Sequence, residues 1–166
     1  MPRRTRFELD LSLAQRMSAA ARAAAGAAGA LVSVAVVDAG GHLICFERMD
    51  GAEIAGPVLA RDKAYTAVAH RIATAELNPL VSPGADLTGM NSADGGRYIA
   101  FAGGLPLWDG DRVIGGIGVS GGSAAQDADA AAAGGAVFET ELTASGPGLP
   151  SSAGANPALF GRQESS

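Results

Sequence analysis

Arg112-Val-Ile-Gly-Gly-Ile-Gly-Val-Ser-Gly-Gly122 is the stretch whose reading decides the fold. Val113, Ile114, Ile117 and Val119 are β-branched and suit a strand. Gly115, Gly116, Gly118 and Gly121 interrupt them and leave the backbone bare, open to close approach by a helix or a ligand. Ser123-Ala-Ala-Gln126 follows as a capping box, in which the Ser123 hydroxyl accepts from the Gln126 N–H and the Gln126 side chain reaches back. The stretch reads as a bare strand, a glycine corner and a capped helix start. Gly116–Gly121 also spells G-x-G-x-x-G, but a dinucleotide fold needs a further parallel strand after the helix and an acidic residue for the ribose. Glu139 and Glu141 fall inside the helical run, and past Leu142 the chain turns to Gly, Pro and Ser. Close packing of a helix on the strand is the better account.

Outward from this stretch the elements fall into place. Asp109-Gly-Asp111 is a turn, preceded by strands over Leu105–Trp108 and Arg97–Phe101 joined through Gly103-Gly104. Ser82–Gly96 is a loop rich in Gly, Asp, Asn and Ser, long enough to suggest function. Gly56-Pro57 opens a helix over Val58–Arg71, with Tyr65, Val68 and Ile72 on its core side and a short helix over Thr74–Leu80 after it. Leu31–Asp38 and His42–Met49 form a hairpin through Ala39-Gly40-Gly41. Ser12-Leu-Ala-Gln15 is a second capping box, starting a helix that runs to about Gly26. The last helix spans Ala124–Leu142. The order α-β-β-α-(α)-β-β-β-α predicts an α+β fold, a five-stranded antiparallel sheet flanked by helices. One domain over 11–142 is expected between an N-terminal tail, 1–10, and a flexible tail, 143–166.

Composition narrows the function. Hydrophobic residues make up 48 % of the 166 but aromatics only 5 %, so the core is small-residued and burial between subunits is favoured. A homo-oligomer is expected. The net charge of −5 argues against nucleic acid, and Arg3, Arg4 and Arg6 read as a solvated start. Cys45 stands alone, which excludes an internal disulfide and a cysteine metal cluster, and it reads as a small buried hydrophobe. No apolar run is long enough to span a membrane, and the N-terminal arginines precede no signal-like stretch. A cytoplasmic location without membrane partners is expected.

Lys63, Thr66 and His70 lie at i, i+3 and i+7 and share one helix face. A histidine at a helix C-terminus is favoured by the macrodipole, but it also suits a ligand or an acid/base role. Lys63 reads either as a solvated lysine or as the partner of His70 in proton transfer. In Asp94-Gly-Gly-Arg97 the Gly95 and Gly96 N–H groups and Arg97 can hold a carboxylate or phosphate, or simply form a turn. Gly121 and Gly122 offer similar N–H donors. His42, Asp38, Glu47 and Arg48 read as exposed surface groups.

Val36-Val-Asp-Ala-Gly-Gly-His42, Phe46-Glu-Arg-Met-Asp-Gly51, Ala60-Arg-Asp-Lys-Ala64, Gly103-Gly-Leu-Pro-Leu107 and Ile114–Gly122 followed by Gln126-Asp127 together resemble the GlcG/HbpS family, which includes the C-terminal domain of PduO-type proteins. The resemblance runs collinearly from about Leu11 to Leu142. It implies a five-stranded antiparallel sheet with helices, assembled as dimers up to octamers, and haem as a possible cofactor. Where the family pattern reads Phe-Gly-x-Pro-Thr, this chain has His70-Arg71-Ile72-Ala73-Thr74. An imidazole thus stands beside a family-typical lysine. The leading expectation is a small-molecule pocket protein that binds haem or a tetrapyrrole, with His70 as axial ligand and Arg97 or Lys63 on a propionate. The alternative is a cofactor-independent isomerase, lyase or cyclase in which Lys63 and His70 are catalytic. In both, Thr66, Gly95, Gly96, Arg97, Gly121 and Gly122 are the ligand-binding candidates.

Overall fold

The structure is a computed structural model that describes residues 7–145. Arg3, Arg4 and Arg6, and all but the first three residues of the expected C-terminal tail, lie outside the described residues. The elements are α1 (Leu11–Ala27), β1 (Ser33–Asp38), β2 (Leu43–Arg48), α2 (Gly56–His70), α3 (Thr74–Val81), β3 (Gly104–Asp109), β4 (Arg112–Ser120) and α4 (Ala124–Ala144). Single 3-10 turns at Met90–Ser92 and Asp94–Gly96 sit in the long loop.

The sheet is antiparallel with order β2-β1-β4-β3, four strands rather than the five expected. The segment 97–101 is the missing one. Its backbone is held by helix side chains instead of a neighbouring strand: the Ile99 N–H donates to Thr66 Oγ1 at 3.0 Å, Thr74 Oγ1 donates to the Phe101 carbonyl at 2.7 Å and Asn78 Nδ2 to the Ala100 carbonyl at 3.1 Å. Once these groups are paired, a sheet edge offers the segment little further gain.

β1 is buried on both faces. Val34 and Val36 join Ile117, Val119 and Phe138 in the core beneath α1 and α4, while Ala35 and Val37 meet Ala60, Ala64 and Val68 of α2 on the other side. The glycines of β4 make the second contact possible. A Cβ at Gly118 would overlap the Ala60 carbonyl oxygen and lie 2.6 Å from the Ala64 nitrogen, and one at Gly116 would lie 2.8 Å from the Ala64 carbonyl oxygen. Helix backbone therefore rests directly on strand backbone, as the bare stretch predicts.

The capping box at the start of α4 forms in both directions. The one expected at Ser12 does not: α1 begins at Leu11, and Asp10 Oδ1 accepts from the Leu13 N–H at 2.7 Å. A carboxylate at the helix N-terminus also meets the macrodipole, so the earlier cap prevails. Among the described residues no helix is long and apolar enough to cross a membrane.

Candidate functional site

α2 does not present Lys63, Thr66 and His70 as one open face. Lys63 and Thr66 are fully buried, and Tyr65, expected in the core, is only half-buried. The Lys63 ammonium passes the glycine corner to the α4 side, donating to the Val119 carbonyl and to Asp127 Oδ2, each at 2.8 Å. Phe101 covers it with the ring centroid 4.8 Å away. Gly103 leaves the passage, since a Cβ there would lie 2.9 Å from Nζ. Burial pushes the Lys63 amine below its usual value, and the hydrogen bond it donates to Asp127 opposes the shift only in part. Gly122 belongs to the same cluster, its N–H donating to Asp127 Oδ1 at 2.9 Å. Gly121, at φ 144, lies directly before it, and a Cβ there would be 2.9 Å from the Val32 Cα. The corner is a buried ionic joint between α2, β4 and α4.

The other sequence candidates gather on the far part of α2. Arg97 lies 3.6 Å over the Tyr65 ring and donates from Nε to Asp62 Oδ1 at 3.1 Å. Thr66 Oγ1 donates to the Asp62 carbonyl at 2.6 Å, besides accepting from Ile99. Gly95 and Gly96 are exposed at φ 67 and 84. Tyr98 stacks on Tyr65 with ring centroids 6.1 Å apart, and His70 meets Tyr98 edge-on at 4.5 Å. His70 Nε2 is buried without a hydrogen-bond partner, and burial lowers the imidazole pKa from its ordinary 6.5. The ionic contacts of Lys63 thus run to Asp127 and those of Arg97 to Asp62, and neither is shared with His70.

A cleft of about 790 Å³ opens at the turn end of the sheet. Its walls come from the β1–β2 turn, the β3–β4 turn, the end of α2 and the segment before α1. Phe7, Leu9, Ile44, Val68, Val113 and Ile114 give it an apolar lining. Tyr65 contributes a phenol, Arg71 and Arg112 two guanidiniums, and Glu8, Asp38, Asp109 and Asp111 four carboxylates. The two histidines adjoin lining residues in sequence, His42 after Gly41 and His70 between Ala69 and Arg71, without themselves lining the cleft. Among the described residues no three acidic, His or Cys groups form a cluster able to hold a bare metal ion.

At the cleft's rim, Asp38 Oδ1 accepts from the N–H groups of Gly40 at 2.8 Å and His42 at 2.9 Å, which fixes the carboxylate. The same carboxylate faces His42 Nδ1 at 3.2 Å. Donation from Nδ1–H leaves Nε2 as the basic nitrogen on a ring whose side chain is 82 % exposed. Burial raises the Asp38 pKa, but the two backbone N–H groups and the His42 ring outweigh it and hold the carboxyl below its ordinary value. A Cβ at Gly40 would come within 2.8 Å of His42 Nδ1, so a larger residue there would shift the ring. Sequence reading set this dyad aside as surface charge. The legible signal is Asp38-Ala-Gly-Gly-His42, a carboxylate and an imidazole four residues apart across a glycine turn.

Haem needs apolar walls, a donor for iron and cations for two carboxylates. The cleft supplies the first from its aliphatic lining and the third from Arg71 and Arg112, and the exposed His42, next in sequence to the lining residue Gly41, is the candidate for the second. The donor set fits the group.

Comparison with known proteins agrees with the fold and the motifs. The family described as "Haem degrading protein HbpS-like" matches residues 9–136. An uncharacterized 15.0 kDa protein of Citrobacter freundii, from the dhaT-dhaS intergenic region, is 39 % identical over 119 residues, covering 72 % of this chain and 84 % of that protein. The corrinoid adenosyltransferase PduO of Salmonella typhimurium is 46 % identical over 100 residues, 60 % of this chain but only 30 % of PduO. The crystal structure of a PduOC:haem complex superposes with a TM-score of 0.76 at 39 % identity, covering 79 % of this chain and 95 % of that one. With a family match over nearly the whole described core and the same fold in a relative of this identity, the chain belongs to the HbpS-like family, the GlcG/HbpS group.

Proposed function

We propose that this protein binds haem, or a closely related tetrapyrrole, in the 790 Å³ cleft at the turn end of the sheet. The observation that carries the reading is the Asp38–His42 dyad at the rim, a fixed carboxylate that leaves one imidazole nitrogen free beside an apolar opening. The solved haem complex of PduOC, with the same fold, supports it. Haem, when bound, supplies an iron centre for axial ligation and redox chemistry. The chain's part is to provide the imidazole, shield the macrocycle with aliphatic side chains and neutralise its carboxylates. His70, the ligand expected from the sequence, is the second candidate; its Nε2 is buried without a hydrogen-bond partner and its ring meets Tyr98 edge-on. Lys63 and Arg97 are placed against Asp127 and Asp62, so propionate contacts fall to the guanidiniums of the cleft.

No particular observation favours the isomerase, lyase or cyclase reading, because the Lys63 amine sits beneath Phe101 with two hydrogen bonds in place. Assembly into homo-oligomers is part of the proposal, supported by Ile54 just before α2 and Val58 in its first turn, 88 % and 62 % exposed. The test is an equilibrium titration with hemin, followed by absorbance. A sharp Soret band that saturates at a fixed stoichiometry is expected, weakened or shifted in His42→Ala and restored by added imidazole. A linear, unsaturable rise identical to that with serum-free buffer refutes the reading. Loss of the band in His70→Ala alone keeps haem and moves the ligand to His70.

A further inference from the structure

We infer that Arg71 is the anchor for a carboxylate of the cleft's ligand, held at its post in a strained backbone conformation. The inference rests on the haem reading and adds to it the residue that selects for an anionic ligand. Arg71 closes α2 with φ 56 and ψ 41, the left-handed region. Helices that end this way use glycine, or sometimes asparagine, since the Cβ of other residues crowds the backbone there. The closing hydrogen bond, from the Ile72 N–H to the Ala67 carbonyl at 3.3 Å, asks only for the backbone shape and would form equally well with glycine. Nothing in the helix end calls for an arginine, so the strain needs a reason elsewhere.

The cleft supplies one. The Arg71 side chain lines it, and among the ion pairs of the described residues Arg71 does not appear. Arg97, Arg22 and Arg16, by contrast, each meet a carboxylate. Four carboxylates line the same cleft as Arg71, yet it pairs with none of them. A guanidinium left open beside an apolar wall suits bidentate contact with a ligand carboxylate. Arg112, at the start of β4, is the other open guanidinium of the cleft.

Strain and binding predict opposite effects of one substitution. Arg71→Gly relieves the left-handed crowding, so the ligand-free protein should melt about 2–4 °C higher. The same variant should bind hemin about 10-fold more weakly, as a charge-assisted hydrogen bond is lost. The wild type should prefer hemin over hemin dimethyl ester, in which both carboxylates are masked, and Arg71→Gly should lose most of that preference. Arg61→Gln removes an equal charge from an exposed position on α2 outside the cleft, and should keep the preference. Unchanged hemin affinity in Arg71→Gly, or an undiminished preference over the ester, overturns the inference while leaving haem binding in place. A melting temperature that falls instead of rising overturns the strain argument, and a wild type that binds no hemin removes the haem reading together with this extension of it.

Discussion

The joint between Lys63 and Asp127 should be the most sensitive polar contact in the protein. The ammonium has no solvent exposure and the carboxylate almost none, at 5 %. Asp127→Asn is the cleanest perturbation: it keeps an oxygen for the Gly122 N–H, bound at 2.9 Å, but removes the charge that faces Nζ at 2.8 Å. The ammonium is then left with the Val119 carbonyl and the Phe101 ring. Breaking a buried pair from one side costs about 3–5 kcal/mol. At about 2–4 °C per kcal/mol for a chain of this size, the melting temperature should fall by roughly 6–20 °C. Lys63→Met should cost less, because a neutral side chain of similar length fills the passage. The double variant should recover part of the Asp127→Asn loss, giving a coupling energy of at least about 1 kcal/mol in a urea-unfolding cycle.

The pH dependence has a definite sign. Burial lowers the Lys63 amine below 10.5, so the folded state holds fewer protons than the unfolded chain between the two values. Stability from this group is lost as pH falls through the lowered value and regained as pH rises toward 10.5. Without the opposing Asp127 charge the amine drops further, so the deficit of Asp127→Asn should narrow as pH rises. Single variants that each lose under about 1 kcal/mol, with additive effects and a flat pH profile, would refute the account of the joint.

Two further outcomes follow from packing and burial. Gly118→Ala should destabilise severely, by about 3 kcal/mol or more in chemical unfolding, since its methyl would meet the α2 backbone rather than a movable side chain; a near-neutral value would mean α2 does not rest on β4. His70, lowered by burial from 6.5, contributes stability that is present above that value and lost as pH falls through the lowered one. His70→Phe keeps an aromatic edge toward Tyr98 at 4.5 Å and should lose less stability than the wild type between pH 7 and 5; parallel losses in urea unfolding would contradict it.

How much of this was legible in the sequence depends on the range of the interaction. The glycine strand and the Ser123 box are local statements, and both hold because nothing distant competes with them. The segment 97–101 carries Tyr98, Ile99 and Phe101, residues with high strand propensity, but helix side chains from α2 and α3 take its backbone groups. Propensity yields there to tertiary pairing. The sequence left Lys63 as either a solvated lysine or a partner of His70 because its actual partner is 64 residues away, and no spacing rule reaches that far. The strain at Arg71 is invisible in a residue string. His42 is exposed, as its sequence reading expects, and its acceptor Asp38 lies in the same turn, so the orientation of the imidazole is legible in the spacing.

The central claim is that the cleft between the two turns is where haem sits. Hydrogen exchange of backbone amides, with and without a saturating amount of hemin, tests it most directly. Protection should concentrate on Gly40–His42, Ala69–Arg71 and Arg112–Ile114, the segments that frame the cleft. Protection confined to Gly96–Phe101, around the smaller hollow of about 300 Å³ beside α3, or no change anywhere, would contradict it.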